Sequence, residues 1–196
     1  MTSELTKNLF LVKQNIGMFK AANSFDIYDP LTSNLELVCR EENLGFFTKF
    51  LRFTNFKVFT PFSVSIRSKN GNQIICLKRN ASLGFSPIVI FDEKNMPIGK
   101  LKPKIRIGGA KIEIQDMSNT VLATLTGNLI GWDFKIKENN LEIAMISKKW
   151  AGIGKELFTS ADNYILKIDD SVPNNSNLRP LILSSVLCID FLLKNK

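Results

Sequence analysis

The run LILSSVLCIDFLL, from Leu181 to Leu193, decides the fold of this chain. It is apolar on every helical face except at Ser184, Ser185 and Asp190, and a helix that is apolar all round is buried in lipid or in protein. The run has thirteen residues. At about 1.5 Å per residue it rises about 20 Å, whereas the hydrocarbon core of a bilayer is about 30 Å thick. We therefore expect a helix inside the protein, with a buried set formed by Leu181, Ile182, Val186, Leu187, Ile189 and Phe191.

A strand–turn–strand unit recurs along most of the remaining sequence. In one clear copy, Val64 and Ile66 alternate with polar residues, an Asn-Gly turn follows at residues 69–72, and Ile75 and Leu77 resume the alternation. Alternation with a period of two indicates a half-buried strand, and Asn-Gly supplies the positive φ of a tight hairpin turn. The same pattern surrounds the turns at residues 29–34, 92–95, 116–119 and 137–140.

The number of predicted strands limits the architecture. Five hairpins supply ten strands, and single strands at residues 9–12 and 164–168 give twelve in all. Twelve antiparallel strands that pair in order form either a sandwich or a closed barrel. A barrel of this size leaves a lumen that suits a helix about 10 Å across. We therefore predict a mainly β fold, a closed twelve-stranded antiparallel β-barrel around a buried hydrophobic C-terminal α-helix, as a single domain over residues 1–196.

One further helix is predicted between the first two hairpins, at residues 43–55 (NLGFFTKFLRFTN). Its aromatic residues recur at helical spacing, which is typical of an amphipathic helix. Such a helix either closes one end of the core or faces a membrane, with Lys49, Arg52 and Lys57 at the lipid headgroups.

The charged and titratable residues limit the function. The chain has no histidine, which excludes Ser-His-Asp and Cys-His catalysis and histidine-bound zinc, so we expect a protein that is not an enzyme. Lysine and arginine number 26 against 18 aspartate and glutamate residues, a net charge of +8. This excess favours phosphate partners, on nucleic acid or on an anionic membrane.

The three cysteines, Cys39, Cys76 and Cys188, lie too far apart in the sequence to indicate a disulfide framework or a four-ligand metal site. Their spacing favours a reducing compartment. The first thirty residues show no pattern of a secretory signal. We therefore expect a cytoplasmic protein, peripheral at the inner face of the membrane if it binds lipid.

The densest basic stretch contains Lys100, Lys102, Lys104 and Arg106 at alternate positions, on one face of a predicted strand. Such a face is either simply solvated or a lipid headgroup-binding site. Residues 94–111 contain no aromatic side chain, and aromatic residues among basic ones are typical of nucleic-acid binding. An anionic phospholipid surface is therefore favoured over nucleic acid. A soluble regulatory module that recognises phosphoinositides or a protein partner is the alternative.

Several motifs occur in order between residues 147 and 194, among them Trp150-Ala151-Gly152, Ala161-Asp162-Asn163-Tyr164 and Ile189-Asp190-Phe191. This stretch resembles the C-terminal half of the phospholipid scramblase family, and a weaker likeness extends over nearly the whole chain. The resemblance implies the tubby C-terminal-like fold, which LURP-one-related proteins share. It also implies membrane association and calcium-stimulated movement of phospholipids between leaflets. We expect a monomer.

The resemblance also implies a calcium loop, with carboxylates at positions that fall here on Ser160, Asp162 and Ser171. Only Asp162 keeps a carboxylate. Calcium takes roughly six to eight oxygen ligands, so we expect low affinity, and a turn or cap before the last strand is the alternative. The candidate calcium ligands are Asp162, Asn163, Asp169 and Asp170, and no other cofactor is expected.

Overall fold

The computed structural model describes residues 3–15, 24–41, 61–81, 86–104, 109–128, 131–148 and 163–193. A short 3-10 helix, Ser3–Thr6, precedes the first strand, and an α-helix, α1 (Leu178–Leu193), follows the last. The strands between them are β1 (Leu9–Gln14), β2 (Ser24–Tyr28), β3 (Leu35–Glu41), β4 (Phe62–Ser68), β5 (Gln73–Arg79), β6 (Ile88–Phe91), β7 (Pro97–Lys104), β8 (Ala110–Gln115), β9 (Val121–Asn128), β10 (Asp133–Glu138), β11 (Leu141–Ser147) and β12 (Asn163–Ile168).

The twelve strands form a closed barrel in which each strand is antiparallel to its neighbours in sequence. The barrel closes where β1 pairs with β12, with Phe10 opposite Leu166 and Val12 opposite Tyr164. Because successive side chains of a strand point to opposite faces, every second residue points into the lumen. The prediction of a closed twelve-stranded barrel is confirmed. The amphipathic helix predicted at residues 43–55 lies outside the described residues.

The hairpin turns explain why the sequence pairs its strands in order. In the β6–β7 turn the Asp92 carboxylate accepts two backbone N–H groups of its own turn, at 2.9 and 2.8 Å, and Asn95 has a φ of 58°. In the β8–β9 turn Asp116 accepts one such N–H at 2.8 Å and Asn119 has a φ of 71°. Asparagine tolerates this left-handed backbone better than most residues, which fixes the turn and therefore the register of each hairpin.

Helix α1 fills the lumen. Leu181, Ile182, Val186, Leu187 and Ile189 are each at most 2% exposed and join the inward residues of the strands in one hydrophobic cluster. The side chain of Phe191 lies outside the described part of the chain. Helix α1 begins at Leu178, three residues before the predicted apolar run. Pro180 does not prevent this, because the backbone N–H groups of the first helical turn make no hydrogen bond within the helix and proline lacks only such a group.

A glycine in β7 makes room for the helix. A Cβ added at Gly99 would lie 2.8 Å from Cδ1 of Leu181 and 2.7 Å from the carbonyl oxygen of Gln115. Both distances are too short for real atoms. The absence of a side chain at Gly99 therefore lets the start of α1 approach the barrel wall.

Arg179 ties the start of α1 to the N-terminal segment. Its side chain is 1% exposed, and burial lowers the pKa of its guanidinium. A buried charge is costly unless it is hydrogen-bonded, and the guanidinium has five N–H donors to satisfy. These donors bond to the backbone carbonyl oxygens of Leu5, Thr6, Lys7 and Val172 and to the side-chain oxygen of Asn8.

Truncating a lumen residue of α1 tests the position of the helix. Leu187→Ala should lower the free energy of unfolding by about 2–5 kcal/mol, because it leaves a cavity in a packed core. Leu31→Ala, at a side chain that is 79% exposed, serves as the control and should change the free energy of unfolding little. Urea denaturation measures both. Equal, small effects would contradict a buried helix.

Removing a hydroxyl from the lumen should stabilise the protein. Ser184 Oγ is buried and has no hydrogen-bond partner among the described residues, whereas Ser185 Oγ donates to the carbonyl oxygen of Ile182 at 2.6 Å. Burying an unpaired hydroxyl costs about 1–3 kcal/mol, so Ser184→Ala should raise the urea midpoint. Ser185→Ala is the matched control and should give no such gain. A lower midpoint for Ser184→Ala would show that its hydroxyl is satisfied.

Candidate anion-binding surface

The outer faces of β7, β8, β9 and β10 form a basic wall. Cross-strand pairing places Lys104 opposite Lys111, and pairs Lys135 and Lys137 with threonines of β9. Residues that pair in this way point to the same face of a sheet. The wall consists of Lys100, Lys102, Lys104, Lys111, Lys135 and Lys137, together with Glu113, Thr124, Thr126 and Asp133.

Three of the four predicted headgroup-binding residues lie side by side on this wall. The Lys100 ammonium donates to Oδ1 of Asn119 at 2.7 Å, and Lys104 forms an ion pair with Glu113 at 3.3 Å. Lys102 lies opposite Glu113, yet within the described residues its ammonium forms no ion pair. The structure therefore brings Lys100, Lys102 and Lys104 together but neutralises one of them. Arg106 lies outside the described residues.

The lysines of β8 and β10 differ in their partners. The Lys135 ammonium donates to the Glu142 carboxylate at 2.7 Å, and this hydrogen bond raises the pKa of Lys135. Lys111 and Lys137 form no ion pair with any part of the chain that the structure describes. Sequence reasoning did not select these two lysines. Their alternation with apolar neighbours marks them as outward-facing, but only the register across β8, β9 and β10 shows which carboxylates neutralise which lysines.

The candidate calcium ligands are split between the two ends of β12. Asn163 is the first residue of β12, and Asp169 follows its last. A strand of this length spans about 20 Å, whereas calcium ligands lie roughly 2.3–2.6 Å from the ion, so Asn163 and Asp169 cannot bind the same ion. Asp162 lies outside the described residues, and its role as a calcium ligand stays a prediction.

The two aspartates after β12 have structural partners. Asp169 accepts the backbone N–H of Ser171 at 3.0 Å, which lowers the pKa of Asp169 and closes the turn before α1. Asp170 accepts a hydrogen bond from the Asn8 amide, which in turn accepts one from Arg179 at 2.7 Å. These contacts connect the end of β12 to the N-terminal segment. In the described ranges, no group of three or more cysteine, aspartate or glutamate residues could hold a metal ion.

All three cysteines are buried, and two of them, Cys39 and Cys188, offer no reactive thiolate. Cys39, Cys76 and Cys188 are all free and buried. Burial raises the pKa of the Cys39 and Cys188 thiols, so both stay protonated at neutral pH, and a protonated thiol is a poor nucleophile.

The described helices include none that is both long and apolar enough to cross a bilayer.

A closed barrel wound around its own C-terminal helix, with a basic wall outside, defines a protein of the tubby-like fold. The model of the family described as Scramblase matches residues 6–194, and the chain therefore belongs to the scramblase family. This family is not one of the classical enzyme families. An X-ray structure of a protein from Arabidopsis thaliana has the same fold, with a TM-score of 0.54 and 11% sequence identity, and the alignment covers 93% of this chain and 90% of that chain. No curated protein matches the chain at a significant level of similarity.

Proposed function

We propose that this protein is a non-enzymatic, scramblase-like protein that associates with anionic phospholipid membranes through its basic wall. The observation that carries the proposal is the excess of lysine over carboxylate on this wall, in a chain of the scramblase family. In this function the protein acts at the cytoplasmic face of a membrane as a peripheral monomer.

The wall would act through long-range attraction to lipid headgroups. A lysine near an anionic membrane contributes about 1 kcal/mol of binding, and the attraction fades over about 8–10 Å in physiological salt. Lysines without a carboxylate partner contribute most, because a paired lysine already has its charge balanced. Among the described residues of the wall, the lysines without a carboxylate partner are Lys100, Lys102, Lys111 and Lys137. Binding should therefore be reversible and should weaken as salt increases.

Membership of the scramblase family supports an activity more specific than membrane association, namely the movement of phospholipids between leaflets. We propose it together with stimulation by calcium through Asp162. Liposomes that carry a quenchable labelled lipid measure it directly, with and without calcium. Leaflet exchange that calcium accelerates is the expected result. If the vesicles bind the protein but the labelled lipid does not move between their leaflets, the function is limited to lipid binding.

Removing the charge of β7 tests the choice of surface. The triple variant Lys100→Ser, Lys102→Ser and Lys104→Ser should float at least tenfold less with phosphatidylserine vesicles, because Lys100 and Lys102, which have no carboxylate partner among the described residues, each add about 1 kcal/mol. The control changes Lys13, Arg67 and Lys69 to serine, an equal loss of charge on β1, on β4 and in the turn after β4, three strands away from the wall on either side. Equal losses in both variants would mean that only net charge matters. Unchanged binding of the β7 variant would show that another face contacts the membrane.

A further inference from the structure

A depression of about 520 Å³ lies in the basic wall between β8, β9 and the β10–β11 hairpin. The residues that line it all have polar side chains, and none of them has a carboxylate. Two ammonium groups, two hydroxyl groups and two side-chain amides can all donate hydrogen bonds, which suits an anion rich in oxygen. The lining residues are Lys111, Thr124, Thr126, Lys137, Asn139 and Asn140.

Strand register explains why the two lysines can act together. Lys111 lies opposite Thr126 on one side of β9, and Lys137 lies opposite Thr124 on the other. Two strand spacings and two residue rises separate the lysine Cα atoms by about 12 Å. A lysine side chain is long enough to cover half of this distance, so both ammonium groups can reach an anion above the threonines.

Two carboxylates that strand pairing places opposite lining residues, Glu113 and Glu142, are already occupied. Glu113 forms an ion pair with Lys104 at 3.3 Å and accepts a hydrogen bond from the Gln115 amide at 2.9 Å. Glu142 is held by Lys135 at 2.7 Å. Within the described residues this leaves Lys111 and Lys137 without an ionic partner. Two like charges beside one depression repel each other, and a bound anion would relieve that repulsion.

The charge of the depression favours one kind of phosphate. Two unpaired ammonium groups carry two positive charges. A phosphate monoester carries about −1.5 to −2 at neutral pH, whereas the phosphodiester of an ordinary phospholipid carries about −1. The monoester therefore matches the depression better.

Exposed apolar side chains next to the depression indicate that this phosphate belongs to a lipid. Leu141 follows Asn140 in the β10–β11 hairpin and is 72% exposed. Met117 and Val121 are exposed at the adjacent β8–β9 hairpin, and Met96 at the β6–β7 hairpin beyond it. Apolar residues at neighbouring hairpin tips can enter the membrane interface, where they gain about 25 cal/mol for each Å² removed from water.

We propose that the depression binds the phosphomonoester headgroup of an anionic lipid while Leu141 and the neighbouring hairpin tips enter the membrane interface. This inference rests on the proposed function and adds headgroup selection to it. The wall attracts any anionic membrane, and the Lys111–Lys137 depression distinguishes a monoester from a diester.

Vesicle binding at matched charge tests this selection. Vesicles that contain phosphatidic acid, a phosphomonoester lipid, are compared by co-sedimentation with phosphatidylglycerol vesicles of equal measured surface charge. The unmodified protein should bind the phosphatidic acid vesicles at least fivefold more tightly. The double variant Lys111→Gln and Lys137→Gln should lose this preference. The control, Lys100→Gln and Lys102→Gln, removes two wall lysines that likewise have no carboxylate partner among the described residues, and it should weaken both kinds of binding equally and keep the preference.

Three further outcomes separate the two proposals. Equal binding of the unmodified protein to both vesicles would overturn headgroup selection and leave membrane association intact. Absence of binding to either vesicle would overturn both proposals. Leu141→Ser separates the sources of phosphate, because it should weaken vesicle binding without changing the competition by soluble glycerol phosphate. Vesicle binding that Leu141→Ser leaves unchanged, with strong competition by glycerol phosphate, would assign the depression to a free phosphate and contradict the lipid.

Discussion

The rest of the structure depends on the burial of helix α1 in the lumen of the barrel. Twelve strands enclose more space than their own side chains fill, and α1 supplies the missing apolar surface. Burial of this helix has two further requirements, room at Gly99 and a set of acceptors for the buried Arg179. Because the lumen is filled in this way, the chemistry open to partners in the described residues lies on the outside of the barrel.

Alternation along the strands sets what that outside presents. On β7 to β10 the isoleucine and leucine side chains point into the lumen, so the side chains next to them in the sequence point outward. Many of these outward-facing residues are lysine. Cross-strand ion pairs then separate the lysines into two groups. Lys104 and Lys135 are balanced by Glu113 and Glu142, whereas Lys100, Lys102, Lys111 and Lys137 have no carboxylate partner among the described residues. Of these four, Lys111 and Lys137 line the same depression. The proposed selection of a headgroup follows from this division of partners rather than from the net charge of +8.

Much of the fold could be predicted from local sequence, because hairpins depend on residues that are close in the chain. Asn95 and Asn119 lie where the turns need a positive φ, and the apolar run of α1 was long enough to identify and too short to span a bilayer. The candidate site was less predictable. The pattern at Lys100, Lys102 and Lys104 located one strand of the wall, but the pairing of Lys104 with Glu113 depends on the register between strands. Four of the five hydrogen bonds of Arg179 join residues more than 170 positions apart, and no local pattern reveals them.

We propose that the barrel contacts the membrane with its outer wall while α1 stays inside the lumen. Hydrogen–deuterium exchange of the protein with and without anionic vesicles that contain phosphatidic acid measures both parts at once. We expect slower exchange at residues 137–141 on vesicles, where hairpin amides become covered, and unchanged slow exchange in α1. Faster exchange in α1 on vesicles, with no new protection at the β10–β11 hairpin, would mean that the helix leaves the barrel to bind lipid and would contradict membrane binding through the outer wall.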